Sequence, residues 1–155
     1  MLSEITNYFQ MTDQVATSGQ PTEAQFADIA AAGNQVVINL AMPGGSNALN
    51  NEGQIVSELG MTYIHIPVPW EAPTVDHLNQ YISVMKAVEP AQTWVHCVVN
   101  ARVSAFNYHY LKSRLGLPEA DCRSPLLEKW QPEMEPVWQE FLSIPADQIK
   151  ALQSL

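Results

Sequence analysis

The sequence predicts an α/β fold with three layers, in which a mainly parallel central sheet is covered by helices on both faces. Short β-branched apolar runs bounded by turn residues recur along the chain, and segments of helical periodicity separate them. Strands that alternate with helices in this way are joined by crossovers and therefore run parallel. The length of 155 residues is near the commonest domain size, so we expect a single domain over 1–155.

The first half of the chain supplies the pattern helix, strand, helix, strand. A capping box from Thr22 to Gln25 predicts a helix over about 22–32, which Gly33 ends. The β-branched run 36–40 predicts a doubly covered strand in the centre of the sheet. A helix over 52–59 and a buried strand over 63–66 follow it.

The second half continues the alternation after a proline-rich loop over 67–73. Thr74 caps a helix whose apolar face extends to Val88, and a third buried strand occupies 93–96. A helix over 104–115 is expected next. The remaining residues, rich in Trp and Pro, are typical of short helices packed over a sheet.

Composition limits the functions that this chain can have. The net charge of −9 has the wrong sign for affinity to nucleic acid or to anionic membranes, so neither is an expected partner. Residues 1–20 lack the pattern of a signal peptide, which favours a cytoplasmic protein and leaves an already processed exported form open. Two cysteines, Cys97 and Cys122, are too few for a disulfide framework and lack zinc-site spacing.

Cys97 stands directly after the third strand, at the sheet edge where parallel α/β proteins bind ligands. A turn over 97–104 that aims backbone N–H groups at one point before a helix would form an anion cradle. The same field stabilises a thiolate, so we expect Cys97 to be a competent nucleophile. Arg102 could bind an oxyanion with both arms of its guanidinium.

The segment HCVVNARVS resembles the active-site motif of the cysteine-dependent protein tyrosine and dual-specificity phosphatases. The opening VATSGQPTEAQFADIAAAG and the strand VVINL are similar to a bacterial family of uncharacterised phosphatase-like proteins, some of them fused to β-lactamase-like hydrolases. The resemblance covers 15–115 and implies a dual-specificity-phosphatase-like fold. It implies a phosphocysteine intermediate on Cys97, oxyanion binding by Arg102, thiolate expulsion aided by Ser104, and a loop oriented by His96.

The arginine departs from the phosphatase pattern, because Arg102 is five positions after Cys97 and those enzymes place it six after. In an unshortened loop Asn100 replaces the motif glycine, Ser104 keeps its place and only the arginine has moved, by about 100° of helix rotation. In a shortened loop Arg102 can still face the anion. We favour the unshortened loop slightly, because Asn100 and Ser104 both fit it, and we expect weak or atypical activity.

The related phosphatases take a general acid from the loop after the preceding strand, and Glu71 is the only carboxylate in that loop. Asp76 is a weaker candidate, because the helix macrodipole already explains an acid in a first turn. Trp70 is expected to line the mouth of the pocket. Several candidates also have plainer explanations: Glu71 as a solvated acid, Asn100 as a turn residue, Ser104 as an N-cap, and Trp70 as a cover over the core. The phosphate-binding residues expected from the motif are Val98, Val99, Asn100, Ala101 and Arg102.

Three functions remain open at this stage. The chain is expected to be a phosphoester hydrolase; the alternatives are an impaired domain that binds phosphate or a phosphorylated partner, and a sulfur transferase that carries a persulfide on Cys97. None of these needs a cofactor, and we expect neither a cofactor nor a metal. The other histidines, His65, His77 and His109, are expected to be packing or surface residues. The loop before Tyr63 and the tail after Gly116 are expected to shape the pocket.

Overall fold

A five-stranded sheet in the order β1-β2-β5-β3-β4 forms the middle layer of the computed structural model. The structure describes residues 1–153, so the last two residues of the predicted domain lie outside it. β1 pairs with β2 antiparallel, and the other three pairings are parallel. The strands are β1 Phe9–Gln10, β2 Val15–Ser18, β3 Val36–Asn39, β4 Thr62–His65 and β5 Thr93–His96.

Helices cover both faces of the sheet, as predicted. The capping boxes at Thr22 and Thr74 form as expected and begin the first and third helices. Helix α4 continues into a π-helical turn over Tyr110–Arg114. The helices are α1 Glu23–Ala31, α2 Glu52–Glu58, α3 Val75–Val88, α4 Ala101–His109, α5 Pro125–Trp130 and α6 Pro136–Leu142.

The strands send alternate side chains to two separate cores. Val37 and Trp94 pack with α1 and α2 on one face, whereas Ile38 and Val95 pack with α3, α4, α5 and α6 on the other. Because the side-chain period of a strand is two, the residues after Val95 continue the alternation. His96 therefore belongs to the α1/α2 face and Cys97 to the α3/α4 face.

The structure corrects three details of the sequence prediction. Helix α4 begins at Ala101 rather than Ser104, so Ser104 lies inside its first turn and is not an N-cap. The centre of the sheet is β5, and β3 lies between β5 and β4. Strands β1 and β2 were not predicted from the periodicity, because both are short and polar residues interrupt them. No helix within residues 1–153 is long and apolar enough to cross a membrane.

Candidate active site

The loop from Cys97 to Asn100 joins the central strand β5 to the fully buried helix α4. Cys97 is 1% exposed, and its backbone N–H donates to the Ser18 carbonyl at 3.3 Å at the end of β2. Every residue of α4 is buried, which fixes the helix N-terminus over the carboxyl end of the sheet. This is the place where parallel α/β sheets bind ligands.

The backbone N–H groups of residues 98–103 have no hydrogen-bond partner within the described part of the chain. The carbonyl oxygens of Val98 and Val99 accept from the Gln20 N–H and the Asn7 side chain, each at 2.9 Å. In a trans peptide the N–H points away from the C=O of the same unit. The N–H groups of Val99 and Asn100 therefore point away from those partners, and with the first turn of α4 they form a run of free donors.

Asn100 holds the turn in a left-handed conformation, with φ of 74° and ψ of 8°. Its side-chain N–H₂ donates to the Asn7 carbonyl at 2.9 Å and to the Thr17 hydroxyl at 3.1 Å. Asn7 donates in return to the carbonyl of Val99. Asn100 is therefore a turn residue in this structure, and its side chain fastens the loop to β2 and to the N-terminal segment.

The turn after β2 approaches the loop too closely for any side chain at Gly19. A Cβ atom built at that position would lie 2.4 Å from the Val98 carbonyl oxygen and 3.1 Å from the Val99 Cα. Both atoms belong to backbone and cannot rotate away. The glycine therefore lets the turn support the outer side of the loop.

Arg102 points toward the loop that follows β4. Arg102 is buried, with 7% of its surface exposed, and its Nη1 donates to the Val68 carbonyl at 2.9 Å. Nε has no partner among the described residues. The guanidinium carbon lies 5.8 Å from the ring centroid of Trp70, which is within cation–π range. A buried guanidinium with an unused N–H group is suited to binding an anion.

Trp70 is held firmly beneath Arg102 by the C-terminal helices. Its ring stacks on Trp130 at 5.3 Å and lies 5.2 Å from Trp138, and its indole N–H donates to the Glu135 carboxylate at 2.6 Å. The Trp138 indole N–H donates to the Trp70 carbonyl at 2.9 Å. Trp70 thus covers the core, as the plainer interpretation held, and also faces the arginine.

The other predicted residues are placed less directly at the loop. Glu71 is exposed, next to Trp70, and makes no hydrogen bond or ion pair with the described residues. Asp76 is an exposed residue in the first turn of α3. The Ser104 hydroxyl donates to the Ala101 carbonyl at 2.6 Å inside α4. Cys122 is buried and lines a small cavity together with Asn100 and Ser104, and burial raises the pKa of its thiol.

A buried polar chain lies on the other side of β5 from Cys97. His96, which is fully buried, contacts the Glu52 carboxylate through Nε2 at 2.6 Å, and Gln20 donates to the second Glu52 oxygen at 2.7 Å. Burial alone would raise the pKa of Glu52, but hydrogen bonds and charge from His96, with bonds from Gln20 and Tyr63, lower it overall. Glu52 is therefore a carboxylate.

Three cavities adjoin the site residues within 1–153, and the two larger ones could hold a ligand. A groove of about 600 Å³ runs between the N-terminal segment and α5, with Asn100 at its border and Lys129 and Trp130 on its wall. A cavity of about 250 Å³ on the α1/α2 face is lined by Glu52 and Tyr63. The groove wall on α5 belongs to the tail after Gly116, which was expected to shape the pocket. No cluster of three metal-ligating side chains occurs among residues 1–153.

Sequence reasoning missed Glu52, Gln20 and Asn7. Glu52 is the first residue of α2, where a carboxylate is explained by the macrodipole, so its burial gave no signal in the sequence. Asn7 lies 93 positions from its partner Asn100, a distance that no local pattern spans. Gln20 directly follows Gly19, and a glycine in a loop is a sequence signal that another backbone segment passes close by.

Comparison with known proteins identifies solved structures of the same fold. No protein-family model matches the chain, and no curated protein matches it. The protein described as "Putative phosphatase (DUF442)" from Shewanella putrefaciens CN-32 is 33% identical, with a TM-score of 0.81 and 92% of each chain covered.

Two further structures share the fold at lower identity. TpbA of P. aeruginosa, in complex with pTyr, is 12% identical with a TM-score of 0.73, covering 96% of this chain and 91% of that chain. The core catalytic domain of the PP-IP phosphatase SIW14 from S. cerevisiae, in complex with citrate, is 12% identical with a TM-score of 0.70, covering 94% and 90%.

Proposed function

Because this chain belongs to the bacterial DUF442 family of phosphatase-like proteins, we propose that it is a phosphoester hydrolase with Cys97 as its nucleophile. The single observation that carries the proposal is the run of free backbone N–H groups at residues 98–103, between Cys97 and the first turn of α4. Such a run binds three oxygens of a phosphoryl group and stabilises the charge that develops on them. TpbA is seen with pTyr and SIW14 with citrate, both oxyanions, which supports an anionic ligand here.

In the first step the Cys97 thiolate attacks phosphorus, the S–P bond forms, and the bond from phosphorus to the leaving oxygen breaks. The leaving oxygen takes a proton from Glu71, the only carboxylate in the loop 67–73. In the second step water attacks phosphorus, gives its proton to Glu71, and releases phosphate and the Cys97 thiolate. Glu71 is exposed and unpartnered within the described chain, so it is free to turn toward the loop.

The left-handed Asn100 stands where the unshortened loop puts the motif glycine, and we propose that the guanidinium of Arg102 nevertheless faces the anion. Helix α4 begins at Ala101, so Arg102 lies in the first turn, next to the free N–H groups. One arm is held by the Val68 carbonyl while Nε remains unused. The fixed arm sets the plane of the guanidinium, and an oxyanion would supply the missing acceptor for Nε. The Ser104 hydroxyl donates to the Ala101 carbonyl and so supports the first turn of α4.

The groove beside Asn100 is the proposed place for the organic part of the substrate. Its volume of about 600 Å³ is within the usual range for small-molecule sites. Trp130 lies between the groove and Trp70, and Trp70 in turn lies within cation–π range of the Arg102 guanidinium. The groove wall carries one positive charge, from Lys129, and one negative charge, from Glu133.

The test is turnover of an aryl phosphate by the intact protein and by Cys97→Ser, with Cys122→Ser as the matched control. We expect turnover in the parent and in the control and none in Cys97→Ser. Trapping with acid should show one phosphate on Cys97. Phosphate binding without turnover in the parent would instead identify a binding domain, and cyanide-dependent thiocyanate release from a thiosulfate-loaded protein would identify a sulfur transferase.

Glu71→Gln tests the general-acid role of Glu71 independently of the other site residues. The substitution should slow hydrolysis of an alkyl phosphate, whose leaving group needs a proton, by about 100-fold. Hydrolysis of an activated aryl phosphate should slow much less. Equal loss on both substrates, or loss on neither, would remove Glu71 from the mechanism.

A further inference from the structure

Both ring nitrogens of His96 face hydrogen-bond acceptors. Nε2 lies 2.6 Å from the Glu52 carboxylate, and Nδ1 lies 3.2 Å from the Cys97 carbonyl oxygen. A neutral imidazole has one N–H and one lone pair, so it can satisfy only one acceptor. An imidazolium has two N–H groups and satisfies both. With Glu52 ionised, as its lowered pKa indicates, the contacts match the charged ring.

The groups that surround His96 supply no competing positive charge. Glu52 of α2 is 4% exposed and carries the negative charge, and the Tyr63 hydroxyl of β4 stays protonated, because burial raises its pKa to about 12. From α1, the Phe26 ring meets the imidazole edge-on at 5.9 Å. A buried imidazolium needs a partner to offset its lost hydration, and among residues 1–153 Glu52 is the one carboxylate that contacts it.

We propose that Glu52 is a positioning residue that keeps His96 doubly protonated, so that the imidazolium favours the Cys97 thiolate and orients the loop. The Nδ1–H bond to the Cys97 carbonyl fixes the first peptide unit of the loop. Because that unit is trans, its Val98 N–H points the opposite way and joins the other free donors. The inference rests on the proposed nucleophilic role of Cys97, but the protonation of His96 is measurable whether or not the protein turns over.

The first experiment is ¹⁵N NMR of the histidine rings in the intact protein at pH 7.5. A free imidazole titrates near pH 6.5 and would be mostly neutral there. We expect both His96 nitrogens to carry protons, with the signals assigned by replacing the other histidines in turn. An unprotonated Nδ1 or Nε2 at this pH overturns the inference, even if aryl phosphate turnover is found.

The second experiment measures alkylation of Cys97 by iodoacetate against pH in Glu52→Gln. This variant keeps the shape and an oxygen acceptor for His96 but removes the charge. We expect the midpoint of alkylation to move up by about one pH unit. Glu58→Gln, on the exposed side of the same helix, removes an equal charge and should leave the midpoint in place.

A double change, Gln20→Glu with Glu52→Gln, restores the carboxylate one side chain further from the ring. Gln20 and Glu52 are already bonded at 2.7 Å, so the exchanged pair can keep that bond, whereas the bond from Gln20 to the Pro21 carbonyl is lost. The midpoint should lie between those of the parent and of Glu52→Gln. An unchanged midpoint in Glu52→Gln, or equal shifts in Glu52→Gln and Glu58→Gln, would refute the role of Glu52.

Discussion

Replacing Asn100 by Ala and by Gly should destabilise the protein to different degrees, because only Ala strains the left-handed turn. Both variants lose the two side-chain hydrogen bonds to Asn7 and Thr17, at about 0.5–1.5 kcal/mol each. Both also remove the Asn100 Oδ1, which is buried without a partner among the described residues. Removing this unsatisfied atom stabilises the folded protein by about 1 kcal/mol. The net loss is therefore about 1 kcal/mol for Asn100→Gly.

In Asn100→Ala the left-handed φ of 74° costs about 1–2 kcal/mol of stability. In Asn100→Gly the backbone instead loses more conformational entropy on folding, which costs about 0.5–1 kcal/mol. We therefore expect Asn100→Ala to be about 1 kcal/mol less stable than Asn100→Gly. Asn47 provides the matched control, because it is exposed and has φ of 63°. Asn47→Ala should also be less stable than Asn47→Gly, but Asn47→Gly should lose little against the parent.

Urea unfolding followed by tryptophan fluorescence gives the free energies, with the slope m as a check on two-state behaviour. Titration of the same samples with inorganic phosphate measures how far each variant keeps the anion-binding conformation of the loop from Cys97 to Asn100. Asn100→Gly should bind phosphate more tightly than Asn100→Ala, since it reaches the loop conformation without strain. Equal stability of the two Asn100 variants would refute the argument from the left-handed turn.

Three further predictions follow from contacts around the loop and in the core. Gly19→Ala should cost about 2 kcal/mol in urea unfolding and weaken phosphate binding, because its Cβ would meet the Val98 carbonyl oxygen at 2.4 Å; a loss below 0.5 kcal/mol would contradict this. Burial lowers the pKa of His109 below 6.5, so the unfolded state binds more protons in acid. Stability should therefore fall as pH drops from 7 to 5, by at most about 1.4 kcal/mol per unit from this group, and His109→Gln should flatten the slope; an equal slope would exclude His109. Arg102→Lys should weaken phosphate binding and turnover by about tenfold or more, because a point charge does not replace the planar fork; an almost silent Arg102→Lys, with a gain in Arg102→Ala plus Val103→Arg, would show that Arg102 faces away from the anion.

Elements whose signals are local could be predicted from the sequence. The capping boxes at Thr22 and Thr74 and the strand 93–96 were predicted at the observed positions, because each depends on neighbours within a few residues. The start of α4 was misplaced by three residues. Its first turn reads as loop in the sequence, since Asn100 and the buried Arg102 suit a polar turn as well as a helix.

The sequence by itself determined the α/β class, the place of Cys97 after a strand, and the family resemblance of the loop, because periodicity and motif spacing are properties of adjacent residues. Only the tertiary structure decided what surrounds that loop. The Asn7 contact with Asn100, the Val68 carbonyl on Arg102 and the Glu52 carboxylate on His96 join residues 34 to 93 positions apart. Such contacts depend on strand order and on which face each side chain takes, and both are set by packing of the whole sheet between its two helical layers.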